Sequence, residues 1–159
     1  DHRDLHLSIR RQRQMCIRDR DGDVHSHPIW RSEECAMSST RRIVRIAEKY
    51  DKKAHVLHIT TKQEIDFLSQ HKGNITFEIT PQHLTIYAPD CYDKLGTYAQ
   101  MNPPIRDKSH YDRLWYAVKN NLNDTIGSDH APHTIQEKKK LAIFVGPVGG
   151  WSDSHPWSQ

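Results

Sequence analysis

Seven residues, Gly127-Ser128-Asp129-His130-Ala131-Pro132-His133, crowd a carboxylate and two imidazoles into one short stretch. A carboxylate there could bind a hard or borderline cation through one oxygen and move protons with the other. The run follows Asp124-Thr125-Ile126-Gly127-Ser128, which reads as a short strand. Two further polar clusters stand at comparable places. His55-Val56-Leu57-His58 lies in a β-branched run over 54–60. Side chains alternate along a strand, so His55 and His58 should face opposite ways. His58 is nearer the C-terminal end and is the better candidate ligand. Asn102-Pro103-Pro104-Ile105-Arg106 is a loop whose prolines stiffen the backbone and remove two N–H donors. Such a loop could hold Asn102 and Arg106 against a polar ligand.

Alternating strands and helices would position these clusters. Residues 33–50 predict a helix with Ser32 as N-cap, Glu33 and Glu34 in its first turn, and Ala36, Ile43, Ile46 and Ala47 as its inward stripe. After strand 54–60, Thr60 or Thr61 caps a helix over 62–71 with Ile65 and Leu68 facing in. Residues 75–81 alternate as a strand ending at Pro81, and 82–108 form a long irregular link. A helix over 109–121 follows, with Ser109 as N-cap and Leu114, Trp115 and Val118 inward, and then strand 124–128. This order argues for βαβ units and a parallel sheet. Ligands then belong beyond the C-terminal strand ends.

With the elements in place, the motifs take on a family likeness. GSDHAPHTIQEK resembles the dihydroorotase signature: a small residue, Ser or Thr, Asp, any residue, Ala-Pro-His, then a Lys, here Lys138. HVLHITT resembles the family's HxxH strand motif and NPPIR its substrate loop, and all three stand in family order across roughly residues 27–138. The resemblance implies an α/β fold, a partial TIM-type (β/α)₈ barrel made of about the last three βα units, strands six to eight. It implies that His58 and Asp129 are zinc ligands, that Asp129 is also the catalytic proton shuttle, and that Asn102 and His133 contact substrate. His55 would be packing or support for the ligands, and His130 has no assigned role. The implied reaction is the reversible hydrolysis of the cyclic amide of dihydroorotate to N-carbamoyl-aspartate, in pyrimidine synthesis. A water activated by one or two Zn²⁺ ions would attack the ring carbonyl. Hydantoinase or allantoinase activity, or a non-catalytic dihydroorotase-like scaffold, are the alternatives; Ala-Pro-His after Asp129 favours dihydroorotase.

Two departures qualify what this chain can do alone. A complete barrel needs roughly 250 residues, and this chain has 159, so a C-terminal fragment is expected. Asp23-Val24-His25-Ser26-His27, with Arg31 nearby, mimics the DxHxH zinc motif of a first barrel strand. The interval from His27 to His58 is too short to hold the intervening strands, so the segment is expected to lie just ahead of strand six instead. With His58 and Asp129 as its only ligands, the fragment should bind zinc weakly and be inactive.

Composition narrows the surroundings. No apolar run approaches the ~20 residues of a membrane span, and no signal peptide is evident, so cytoplasm is the expected location. Cys16, Cys35 and Cys91 are widely spaced, without a CxxC pair, which suits reduced thiols. Residues 1–20 hold six arginines against three aspartates, whereas 21–159 balance 17 basic with 17 acidic residues. The basic bias therefore gives no support to nucleic-acid binding, and a small-molecule substrate, with a homo-oligomer left open, is the expected partner. The 1–20 stretch reads as a disordered basic tail or as non-native, since RRQRQMCIRDR resembles translated adapter sequence. Residues 21–140 form the barrel portion. Residues 141–159 diverge from the family pattern, and a frameshift near 140 would explain the change.

Overall fold

The computed structural model describes residues 23–130 and 134–136. Three parallel strands form one sheet in the order β1 (Ala54–Val56), β2 (Ile75–Ile79), β3 (Thr125–Ile126). His55 aligns with Thr76 and Val56 with Phe77, while Glu78 aligns with Thr125 and Ile79 with Ile126. The ladder outlasts the short strands: Ile59 N–H donates to Glu78 O at 2.9 Å, and Gly127 N–H to Ile79 O at 3.1 Å. β2 shows why the sheet has two characters. Ile75, Phe77 and Ile79 are buried and Thr76 and Glu78 are half-buried, the period-two pattern of a strand with one apolar face.

The apolar face carries helices. After α1 (His27–Trp30) comes α2 (Glu33–Lys49), where Ser32 caps the helix by accepting from Cys35 N–H at 3.3 Å. Its buried residues are Met37, Thr40, Val44 and Ala47, spaced by three and four. The expected stripe holds only in part: Ala47 is buried and Ala36 half-buried, but Ile43 and Ile46 are 40% and 43% exposed. A polar contact accounts for the rotation, because Thr40 Oγ1 donates to the buried Glu64 Oε1 at 2.7 Å and draws that face inward. α3 (Lys62–Leu68) begins with a capping box between Thr61 and Glu64, and buries Ile65 and Leu68 as expected.

The link over 82–108 is more ordered than its composition suggested. It contains α4 (Pro81–Thr85), α5 (Asp90–Leu95) and a 3₁₀ turn Gly96–Ala99, with cis peptides before Pro89 and Pro103. These residues build a second small core of Cys91, Tyr92, Ala99 and Ile105, against which Val24 and Met101 pack. α6 (Lys108–Lys119) is capped by Asp107, which accepts from Ser109 N–H at 2.7 Å, so the cap lies two residues before the expected Ser109. Leu114 is buried and Val118 packs on the main core as expected. Trp115 instead faces outward, 37% exposed, because its Nε1–H reaches Leu84 O at 2.9 Å.

Asp23-Val24-His25-Ser26-His27 is not a strand. Asp23 caps a 3₁₀ turn, Val24–Ser26, which runs into α1. Among the described residues no helix is long and apolar enough to cross a membrane. His133, Lys138, Cys16 and the stretches 1–20 and 141–159 lie outside the described residues.

Candidate active site

Parallel strands bring the ends of β1 and β3 to one edge of the sheet, where His58 and Asp129 follow two and three residues beyond the strands. Among the described residues, four non-glycine residues have positive φ: Asp51, His58, Asn121 and Asp129. Asp51 and Asn121 stand just past the ends of α2 and α6, where a left-handed residue ordinarily closes a helix. His58 (φ 42°) and Asp129 (φ 43°) follow strands and have no such reason. Non-glycine residues are held in that region at a cost of order 1–3 kcal/mol, and such positions concentrate at functional sites. The turn at His58 also ends the simple alternation expected along 54–60, so His55 and His58 are not related by strand geometry alone.

The two side chains are also uncommitted. Among the described residues, neither the His58 ring nor the Asp129 carboxylate makes a hydrogen bond or ion pair, and none joins them to Asn102. Several other imidazoles are engaged. His55 places Nδ1 2.7 Å from Thr76 Oγ1 and Nε2 3.4 Å from Glu78 Oε2. His71 bonds Phe67 O at 2.8 Å. Asp129 is exposed, and His58 and Asn102 are half-buried.

Two residues at this edge had no motif to announce them. Glu78 turns its carboxylate toward both neighbouring strands: the His58 N–H donates to Oε1 at 3.4 Å, and a Cβ at Gly127 would lie under 3.0 Å from the carboxylate atoms. Position 127 must be glycine for Glu78 to rest there. The available signal was weak, a charged residue in an alternating strand. The second is His83 on α4, which is 4% exposed. Its Nε2 lies 3.2 Å from Pro103 O, an acceptor only, so that nitrogen carries the proton. Nδ1 then accepts from the Thr80 hydroxyl at 2.6 Å. Burial pushes the His83 pKa down to about 4, the Pro103 carbonyl opposing and nearby His58 and Arg106 adding to the fall. The ring is neutral at pH 7.

Arg106 departs from its expected role. It is 6% exposed, with Nη1 donating to Pro28 O at 3.1 Å and Nε directed at Thr60 Oγ1 at 3.5 Å. The guanidinium braces the loop from inside rather than facing a ligand. Burial lowers its pKa, and Glu64 and Glu33 act in the opposite sense.

Glu33, Asp107 and His110 offer ligand atoms close enough for one metal ion. Their protons argue against it. Lys62 N–H donates to His110 Nδ1 at 3.0 Å, which leaves the ring proton on Nε2, pointing at Glu33 Oε1 at 2.9 Å. A nitrogen that donates has no lone pair for a cation. The cluster ties the first turns of α2, α3 and α6 together. Burial raises the Glu33 pKa, but hydrogen bonds from Gln63 and His110 outweigh it and hold the carboxyl below its ordinary value.

No family model matches the chain. It is 37% identical over 114 residues to a dihydroorotase of Methanosphaera stadtmanae, covering 69% of this chain and 25% of that protein. A dihydroorotase of Elusimicrobium minutum is 34% identical over 128 residues, covering 77% and 29%. The chain thus spans between a quarter and a third of the length of these relatives. In fold it is similar to the L-hydantoinase (dihydropyrimidinase) of Arthrobacter aurescens, with TM-score 0.74, 21% identity, and coverage of 83% of this chain and 30% of that one. These relatives make the chain a partial-length homologue of the dihydroorotases, and its parallel sheet, with polar groups at one edge, has the fold of the hydantoinase.

Proposed function

We propose that residues 21–140 supply strands six to eight of a zinc-dependent dihydroorotase barrel, and with them one wall of its active site. The observation that carries this reading is the pair of left-handed, uncommitted side chains, His58 and Asp129, at one edge of a parallel sheet. The donor set suits zinc, an imidazole and a carboxylate being ordinary ligands, but a catalytic site uses three protein ligands. His58 and Asp129 would hold the ion, joined by ligands from the part of the barrel that the relatives have beyond the matched quarter. When bound, zinc supplies Lewis acidity and brings the pKa of water towards about 7.

This chain's own groups do the rest. The Asp129 carboxylate takes the proton from the attacking water and returns it to the departing ring nitrogen. Its exposed position, without a competing partner, leaves both oxygens available. Asn102 offers an amide donor to a substrate carboxylate, and His133 a second polar contact. His83, neutral beside His58, adds no cation to a site that must accept one. The enzyme would act in the cytoplasm, in pyrimidine synthesis.

The test is a chimera in which residues 23–138 replace the matching segment of the M. stadtmanae dihydroorotase. Hydrolysis of dihydroorotate, lost in D129A and H58A, is the expected result. A folded chimera that opens hydantoin but not dihydroorotate refutes the assignment.

A further inference from the structure

Prolines at 103 and 104 deprive the Asn102 loop of backbone donors, so the loop must be held through its carbonyls. The structure shows what holds them. Tyr92 Oη–H donates to Ile105 O at 3.2 Å, Ala88 N–H donates to Arg106 O at 2.8 Å, and His83 Nε2–H donates to Pro103 O at 3.2 Å. Of these, the His83 bond lies nearest Asn102 in the chain. His83 is itself fixed: it is nearly fully buried, its other nitrogen takes the Thr80 hydroxyl, and Thr80 directly follows β2. A rigid path therefore runs from the sheet through Thr80 and His83 to the peptide joining Pro103 to Pro104.

From this path we infer that His83 is a positioning residue, setting where Asn102 stands relative to the sheet edge that bears His58 and Asp129. The inference deepens the dihydroorotase reading and rests on it for the role of Asn102, but the mechanical link is independent of any reaction. Its requirement is a donor at the Nε2 position. Glutamine can present one there; asparagine is a methylene shorter, and its amide does not reach the Nε2 position.

Two measurements test it. In the 159-residue chain, hydrogen exchange at the Met101, Asn102 and Ile105 amides should be about tenfold faster in H83L and H83N, and close to wild type in H83Q. Should H83L fail to fold, the contrast between H83N and H83Q still decides. Equal loop protection in H83N, H83Q and wild type overturns the inference. In the chimera, H83N should raise KM for dihydroorotate about tenfold with kcat nearly unchanged, as loss of uniform binding requires. N102A should do the same, and the double variant should be no worse than either. Additive effects overturn the link to Asn102. A chimera inactive even with His83 intact would sink the proposed reaction, while the exchange result would still stand or fall on its own.

Discussion

Acid should loosen this fold through His83, and the size of the effect follows from its burial. In the unfolded chain the imidazole titrates near 6.5, and in the fold only at about 4. Below pH 6.5 the unfolded state takes up a proton that the folded state refuses, so unfolding gains free energy as the pH falls. Stability from this group is complete above 6.5, falls through the interval, and levels off below about 4. At ~1.4 kcal/mol per pH unit, the loss is about 2 kcal/mol by pH 5 and roughly 3 kcal/mol at the end. Glu33 and Asp107, whose pKa values are lowered, add their own loss further into acid, but they are common to any pair of proteins differing only at position 83. The assay is urea unfolding followed by far-UV circular dichroism at pH 7, 6, 5 and 4.5, for wild type and H83Q. The wild-type advantage, whatever its size at pH 7, should shrink by about 2 kcal/mol by pH 5. Curves that stay parallel from pH 7 to 4.5 refute the account of the ring as buried and neutral.

Other expectations concern the loop, the cap, the core and the metal. Replacing Arg106 with Leu removes donors to Pro28 O and Thr60 and a buried charge near Glu64, so urea unfolding should show a loss of ~2–4 kcal/mol. T61A breaks the capping box at α3 and should cost about 1 kcal/mol by the same measurement. Phe77 is 1% exposed at the centre of β2, and F77A should cost ~3–5 kcal/mol. The purified 159-residue chain with added zinc should not hydrolyse dihydroorotate, and calorimetry should find weak zinc binding; turnover by this chain would contradict a site completed from elsewhere.

The elements were largely legible in the sequence because their signals are local. Ser32, Thr61 and the alternation over 75–79 each report on neighbours a few residues away. The phase of α2 was not legible, since Thr40 turns inward to meet Glu64, 24 residues along. Nor was the order within 82–108, where prolines read as disruption although they separate short helices around a second core. Motifs single out the strand-end candidates His58 and Asp129, but not the groups placed around them. Glu78 and His83 become visible only when strands and helices distant in the chain are brought together. Arg106 was misread for the complementary reason: its charge suggested a ligand, while its partners Thr60 and Pro28 are remote in sequence.

The Glu78 carboxylate occupies the space that a side chain at position 127 would need, which links two positions distant in the chain. A methyl group at 127 needs the same space as the end of the side chain at 78. The dependence runs one way: a side chain at 127, just past β3, needs the Glu78 carboxylate to swing aside or be shortened, whereas shortening residue 78 asks nothing of Gly127. A designer who wishes to place a side chain at 127 therefore begins at 78.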